Sequence, residues 1–264
     1  MRVGVVRKTL HHAKGVAYRT AKIPPVLERL EQLRKRRQID ANAQFVAKFV
    51  AETDVVSPRC LVTTVIPTFH RPALLLRAVQ SALDQTVTDH HVVVVDHGGG
   101  DLPEMPPSPR LHIVELPSQT GNIGVPRNVG IDISDSPYLA FLDDDNTWEP
   151  NHLETCIAVL EAGADLCYSA YLVVDAGGRV IRSRGRPFSR WALRGGNYVD
   201  TNTIVMRRDP EARMSVMPRR RASWRREDWE LVYRYSKNHR VAYSPVPTVR
   251  YFENPDSYFS TWPH

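Results

Sequence analysis

Between residues 61 and 160, short apolar runs without alternation trade places with stretches of helical period. The segments 61–66, 91–95, 111–115 and 138–142 read as strands, and the run at 138–142 keeps apolar side chains at successive positions, the pattern of a strand buried on both faces. Between them, 73–85 sets Leu74, Leu75, Ala78, Val79, Ala82 and Leu83 on one helical face. Pro126 opens a shorter helix, and Pro150 opens another that reaches residue 160. Strands separated by helices predict an α/β fold: a mostly parallel, Rossmann-like sheet flanked by helices. Past residue 169 the pattern predicts a hairpin from 171–174 and 179–181 about Gly177-Gly178, and a strand at 203–206. A helix at 227–237 and strands at 241–243 and 248–252 complete it.

Upstream, Val26, Leu27, Leu30 and Leu33, then Phe45, Val46, Phe49 and Val50, repeat at helical spacing on either side of Arg34-Lys35-Arg36-Arg37. They predict one amphipathic helix or two, and divide the chain into a basic helical N-terminal extension, 1–57, and a main domain, 58–264. The apolar face suits packing on the main domain or on a second copy, as in a homodimer. It also suits a peripheral membrane surface, since basic flanks beside an apolar face bind anionic lipid. Nothing aromatic is interleaved there, so no nucleic-acid partner is expected.

Composition changes this picture little, with 42% hydrophobic and 24% charged residues in 264. No apolar run approaches the ~20 residues that cross a bilayer, and no secretory signal is present, so the expected location is cytoplasmic, at most on the inner membrane face. Cys60, Cys156 and Cys167 sit in apolar surroundings and read as reduced core thiols. The net charge of +6 matters once divided. Residues 1–57 hold 12 Lys/Arg against 5 Asp/Glu, and 179–226 hold 14 Arg against 3 acids, leaving an acidic body between basic zones that attract anions.

The chemistry is concentrated where the 138–142 run ends in Asp143-Asp144-Asp145. Three adjacent like charges repel unless a cation offsets them, and all-oxygen donors without a nearby cysteine point to magnesium or manganese (Mg2+ or Mn2+). Two plainer readings compete. Asp143, Asp145, Thr147 and Glu154 match part of a calcium loop, but Trp148 stands where the turn needs glycine and Pro150 breaks the spacing. An acidic turn capping the helix after Pro150 is the other.

Four further segments decide between them: Val65-Ile66-Pro67-Thr68-Phe69-His70-Arg71-Pro72, Val94-Val95-Asp96-His97-Gly98-Gly99-Gly100-Asp101, Asn122 to Gly130, and Arg226-Glu227-Asp228-Trp229. With the triple Asp, in this order over about residues 60–255, they resemble the family 2 glycosyltransferases of the GT-A fold. The resemblance implies a metal-dependent, inverting transfer from a nucleoside-diphosphate sugar, with a UDP- or dTDP-sugar favoured, to a hydroxyl acceptor. It implies that Pro67, Thr68, Phe69 and Arg71 hold the nucleotide, Phe69 against the base, and that Asp96 hydrogen-bonds the base. Arg127, at a helix start that already favours anions, is implied as a further nucleotide contact. Asp145 and then Asp143 are implied as metal ligands, Asp144 faces the ribose or donor sugar, and Asp228, with Glu227 second, is the general base. The chain departs from the family where His97 and Gly99 replace a second Asp and a Ser.

On the acceptor side, Trp191 and Tyr198 are candidates to stack on a sugar, and Asp200-Thr201-Asn202 forms a polar cluster entering a strand. The arginines of 179–226 suit an anionic or lipid-linked acceptor, or a solvated loop; a glycan or a small metabolite is the other acceptor class. The alternatives are a nucleotidyltransferase, whose glycine-rich phosphate loop is missing after the first strand, and a non-catalytic nucleotide or nucleic-acid binder.

Overall fold

The computed structural model describes residues 25–53, 59–175, 177–216 and 227–253; side chains 25–32, 34 and 35 are outside the described set. One continuous helix, α1 (Pro25–Glu52), precedes the main body. The body runs β1 (Val62–Thr68), α2 (Pro72–Leu83), β2 (His90–Asp96), β3 (Leu111–Glu115), α3 (Gly124–Asp132), β4 (Tyr138–Phe141) and β5 (Thr147–Trp148). It continues α4 (His152–Glu161), β6 (Leu166–Val174), β7 (Val180–Arg184), β8 (Ile204–Arg207), α5 (Glu227–Tyr235) and β9 (Val241–Phe252).

These strands form one sheet in the order β3-β2-β1-β4-β8-β6-β9-β5, with β7 added on β6. The first four are parallel, as the buried apolar runs predict: every residue of β1, β2 and β4 is buried. The rest is mixed. β8 runs antiparallel to β4 and β6, while β6 and β9 are parallel to each other. Three local readings change. β6 begins at Leu166, ahead of the predicted hairpin, and β9 is one strand whose pairing shifts register at Ser169–Tyr171 instead of two strands. The two-residue β5, antiparallel to β9, carries no periodic signal of its own.

Helices cover both faces. Leu75, Ala78, Val79 and Ala82 of α2 and Leu153, Cys156 and Leu160 of α4 pack against one face. Val125 and Val129 of α3, Leu231 and Val232 of α5, and Val46 of α1 pack against the other. Burying each such aliphatic side chain contributes on the order of 1.5–3 kcal/mol. At Gly130 a Cβ would lie 2.5 Å from Val65 Cγ1, so α3 rides directly on β1. All three cysteines are free and buried.

The basic extension is docked through its C-terminal half. Val46 is buried, Phe45, Phe49 and Val50 are partly buried against the same core, and Asn42 Nδ2 donates to Val216 O at 3.1 Å. The apolar stripe read as a membrane face thus turns to the body over 45–50, while Leu33 stays exposed. Val26, Leu27 and Leu30 lie outside the described side chains. Among the described residues no helix is long and apolar enough to cross a membrane.

Candidate active site

Parallel α/β sheets leave a crevice beyond the carboxyl ends of their strands, where chain reversals expose backbone groups and side chains converge. Here the ends of β1, β2 and β4 open on a cavity of about 290 Å³. A larger open groove of about 820 Å³ lies elsewhere, between α2, residues 104–106 and β5. Its charged lining residues are Arg77, Asp84, Glu104 and Arg250, two of each sign, whereas six carboxylates meet in the smaller cavity, which is the candidate site. Those six are Asp143, Asp144, Asp145, Asp200, Glu227 and Asp228, and the wall also carries Pro67, Thr68, Phe69, Arg71, His97, Arg127, Thr201 and Tyr251.

The triple Asp is held from three sides. Asp144 accepts from Thr68 Oγ1 at 2.8 Å and from Arg71 Nη1 at 3.1 Å. The same Arg71 nitrogen reaches Asp145 Oδ2 at 2.9 Å. Asp143 pairs with Arg127, whose other terminal nitrogen donates to Glu227 Oε1 at 3.2 Å. Arg127, 2% exposed, therefore ties the β4 loop to the start of α5. Asn202 completes the set: its Oδ1 accepts the Asp143 N–H at 2.6 Å and its Nδ2 donates to Asp143 Oδ2 at 3.2 Å. Asn202 is fixed in turn by Asp200, which accepts both its N–H and its side-chain amide.

Six carboxylates face two guanidiniums in one buried space, and the strain shows in their proton affinities. Asp145 is pushed up to about 7, first by burial and then by Asp143 and Asp144. Asp228 is also pushed up to about 7, by burial and then by Glu227 and Asp200. Asp144 and Asp200 move the same way, burial leading in both. Such a set of hard oxygen donors with surplus negative charge fits a divalent cation. Asp145 and Asp143 would hold it. The donors are not gathered into a ready cage: among the described residues no group of three or more His, Cys, Asp or Glu is arranged as a metal centre, because Arg71 and Arg127 share out the carboxylates.

Asp228 opens α5 beside Glu227 and is 8% exposed. Its Oδ2 accepts from Asn197 Nδ2 at 3.0 Å and its Oδ1 from the Trp229 N–H at 2.6 Å. Arg226, the first residue of that segment, lies outside the described residues.

Most of the residues read from sequence meet in this cavity, and four stand off its wall. Asp96 is buried, with its carboxylate oxygens accepting the Gly99 and Gly100 N–H groups. Tyr198 is packed in its own loop, accepting from Ser189 N–H and stacked under Arg186. Trp191 is 79% exposed and lies outside the cavity lining. Asn202, read as an acceptor contact, is 1% exposed and serves Asp143 instead, since both ends of its amide are already bonded. His97 and Tyr251 line the cavity without having been singled out for it; the only signal was His97 in place of the usual acid. The arginines of 179–226 divide as well. Arg207 and Arg208 donate to the backbone carbonyls that end α4 and α3, and Arg213 pairs with Asp132. Among the described residues none of the arginines of that span lines the cavity.

Succinoglycan biosynthesis protein ExoW of Rhizobium meliloti (strain 1021) is 36% identical over 99 residues, 34% of this chain and 31% of that protein. Poly(ribitol-phosphate) beta-N-acetylglucosaminyltransferase TarP of Staphylococcus aureus (strain N315) is 30% identical over 156 residues, 54% of this chain and 44% of that one. The chain thus spans less than half the length of these curated relatives. Among solved structures, S. aureus TarS 1-349 in complex with UDP-GlcNAc superposes with a TM-score of 0.60 at 17% identity, covering 77% of this chain and 62% of that one, a likeness of fold. The model of Glycosyl transferase family 2 matches residues 63–250, from β1 into β9 and across the cavity lining except Tyr251, and the chain belongs to that family.

Proposed function

We propose that this chain transfers a sugar, with inversion, from a nucleoside-diphosphate donor (a UDP- or dTDP-sugar) to a hydroxyl of a glycan, a lipid-linked sugar or a metabolite, using Mn2+ or Mg2+. One observation carries the reading: Asp228 and the Asp143–Asp145 loop share a single buried cavity with Phe69. In this reading Phe69 lies against the base, and Pro67, Thr68 and Arg71 line the nucleotide end. A divalent cation, held by Asp145 and Asp143, would offset charge on the diphosphate leaving group. Asp228 takes the proton of the acceptor hydroxyl as that oxygen bonds to the anomeric carbon. The bond from that carbon to the diphosphate oxygen breaks on the opposite face, so the configuration inverts. A carboxyl whose pKa is raised to about 7 is a better proton acceptor than an ordinary one while still about half ionised near pH 7. Arg127 and Asn202 keep Asp143 in place throughout.

For the acceptor, the printed name of TarP refers to a phosphate-bearing polymer. The strip from Arg179 to Arg194, with exposed Arg184 and Trp191, offers an anionic acceptor a docking surface outside the cavity. Transfer to phosphorylated against neutral acceptors tests that refinement, and equal rates overturn it.

The first test is calorimetric titration of UDP, GDP and dTDP into the protein with and without Mn2+, alongside Asp145→Ala. The expected result is metal-dependent binding of at least one nucleotide, lost in the variant. Absence of binding under both conditions overturns the proposal.

A further inference from the structure

The turn after β2 is built around Asp96. Its Oδ1 accepts the Gly99 N–H at 3.0 Å and its Oδ2 the Gly100 N–H at 2.8 Å, which uses both oxygens on the chain's own backbone. Gly98, at φ +83°, carries this turn against Ser118, where a Cβ would meet backbone carbon at 2.6 Å. Only glycine tolerates both the positive φ and the contact. The glycine run that replaces an acidic turn therefore folds back over Asp96 and leaves its neighbour, His97, on the cavity wall.

The His97 ring stands edge-on to Phe69, with centroids 6.4 Å apart. Its Nε2 accepts the Thr120 N–H at 3.0 Å, with Thr120 Oγ1 at 2.7 Å from the same atom. An imidazole nitrogen that accepts a backbone N–H carries no proton, so in the neutral ring the proton sits on Nδ1. Burial favours that neutral form by lowering the ring's pKa, against an opposing pull from Asp96. Among the described residues Nδ1 has no hydrogen-bond partner, yet it is not one of the fully buried polar atoms that lack one. It is therefore accessible, and the space His97 borders is the cavity.

We infer that His97 selects the donor's nucleobase, its Nδ1–H donating to a carbonyl oxygen on the base edge while Phe69 covers the base face. This deepens the transferase reading and rests on it. It assigns base recognition to a hydrogen-bond donor, where a carboxylate at this place would be an acceptor. The bases it fits carry a ring carbonyl: uracil, thymine or guanine. Adenine carries an exocyclic amino group where these bases carry a carbonyl, so at that edge Nδ1–H would face a second donor, a penalty comparable to losing the bond itself.

The experiment is calorimetric titration of UDP, dTDP, GDP and ADP, each with Mn2+, into wild type, His97→Asn and His97→Asp. Asparagine keeps an N–H close to the position of Nδ1, whereas aspartate offers only acceptors there. Wild type is expected to bind one of the three carbonyl bases at least about tenfold more tightly than ADP, the scale of one hydrogen bond made or left unmade. His97→Asn keeps most of that ratio, and His97→Asp brings it within about threefold. The ratio between bases is the readout because a structural defect weakens all four nucleotides together. Should a variant fold poorly, the wild-type ratio decides alone. Wild type binding ADP as tightly as the others overturns the inference, as does an unchanged ratio in His97→Asp; in both cases the transferase reading stands. No nucleotide binding by wild type overturns both.

Discussion

Asp228 and Glu227 are neighbours on one helix turn, and their surroundings separate their roles. Glu227 accepts from Arg127, the same guanidinium that holds Asp143, so it belongs to the frame of the site. Asp228 is bonded to Asn197 and its own helix start, and its ionised form is disfavoured by burial and by Glu227. Replacing it with the isosteric amide removes a proton acceptor and a buried charge at once. Asp228→Asn is expected to lower kcat by about 10²–10⁴. Its Tm stays level or rises, and nucleotide affinity is unchanged. A variant that keeps wild-type kcat, measured as nucleoside diphosphate released, removes Asp228 from the base role. At this scale the triple Asp was legible from its position at a strand end, because three adjacent acids need an explanation wherever they stand. The jobs of Asn202 and Asp96 were not legible, since a side chain's partner depends on which loop passes beside it.

At the level of elements, the site depends on how closely α3 sits on β1. Arg127 projects from α3, and its reach to both Asp143 and Glu227 is set by the contact between Gly130 and Val65. Gly130→Ala gains helix propensity of about 1 kcal/mol. It also drives a methyl group into the fully buried Val65, and overpacking of this kind costs about 1–3 kcal/mol. The expected outcome is a Tm lower by several degrees together with weaker nucleotide binding, because α3 must lift and carry Arg127 with it. A Tm at or above wild type in a thermal melt contradicts that packing argument. The inner parallel strands β2 and β4 were legible because burial on both faces leaves a nearly continuous apolar run, whereas β3, at the sheet edge, is only partly buried. β5 and the first half of β6 were not legible: two residues are too few for a period, and Tyr168 and Ser169 interrupt the run.

For the whole molecule, buried histidines set part of the pH dependence of stability. His152 joins α4 to β9: its Nδ1 lies 2.7 Å from Thr248 Oγ1, which itself donates to Ser169, and its ring stacks on Trp148. Nε2 is buried without a partner, so protonation places a charged N–H where nothing accepts it. Burial accordingly pulls the His152 pKa down to about 3, against about 6.5 in an unfolded chain. Between these values the unfolded state holds a proton that the folded state lacks. This contribution is complete above about pH 6.5 and is lost as pH falls toward 3. Chemical denaturation at pH 7 and pH 5 is expected to show a steeper loss for wild type than for His152→Gln, by up to about 1.4 kcal/mol per pH unit, one proton's worth. Equal slopes would mean that His152 titrates normally. The raised carboxylates of the cavity act in the opposite sense, which is why the comparison is made between variants and not read from wild type alone.

What the sequence determined by itself was local and repetitive. Apolar runs specify the central strands, helical periods specify α2, α4 and α5, and carboxylates at strand ends specify where charge has to be managed. Each depends on residues within a few positions of one another, so one chain segment carries the whole signal. What only the tertiary structure decided was pairing at a distance. Arg127 joins Asp143 to Glu227 across 100 residues, Asn202 clamps a loop 59 residues before it, and α1 lies on α3 by burying Val46. The turn at Gly98–Gly100 belongs to both classes. Its glycines announce an unusual backbone, but only the folded chain shows Asp96 enclosed by it and His97 left to face the cavity. A hydrogen bond is decided within a few tenths of an ångström, and only the packed body determines positions that finely.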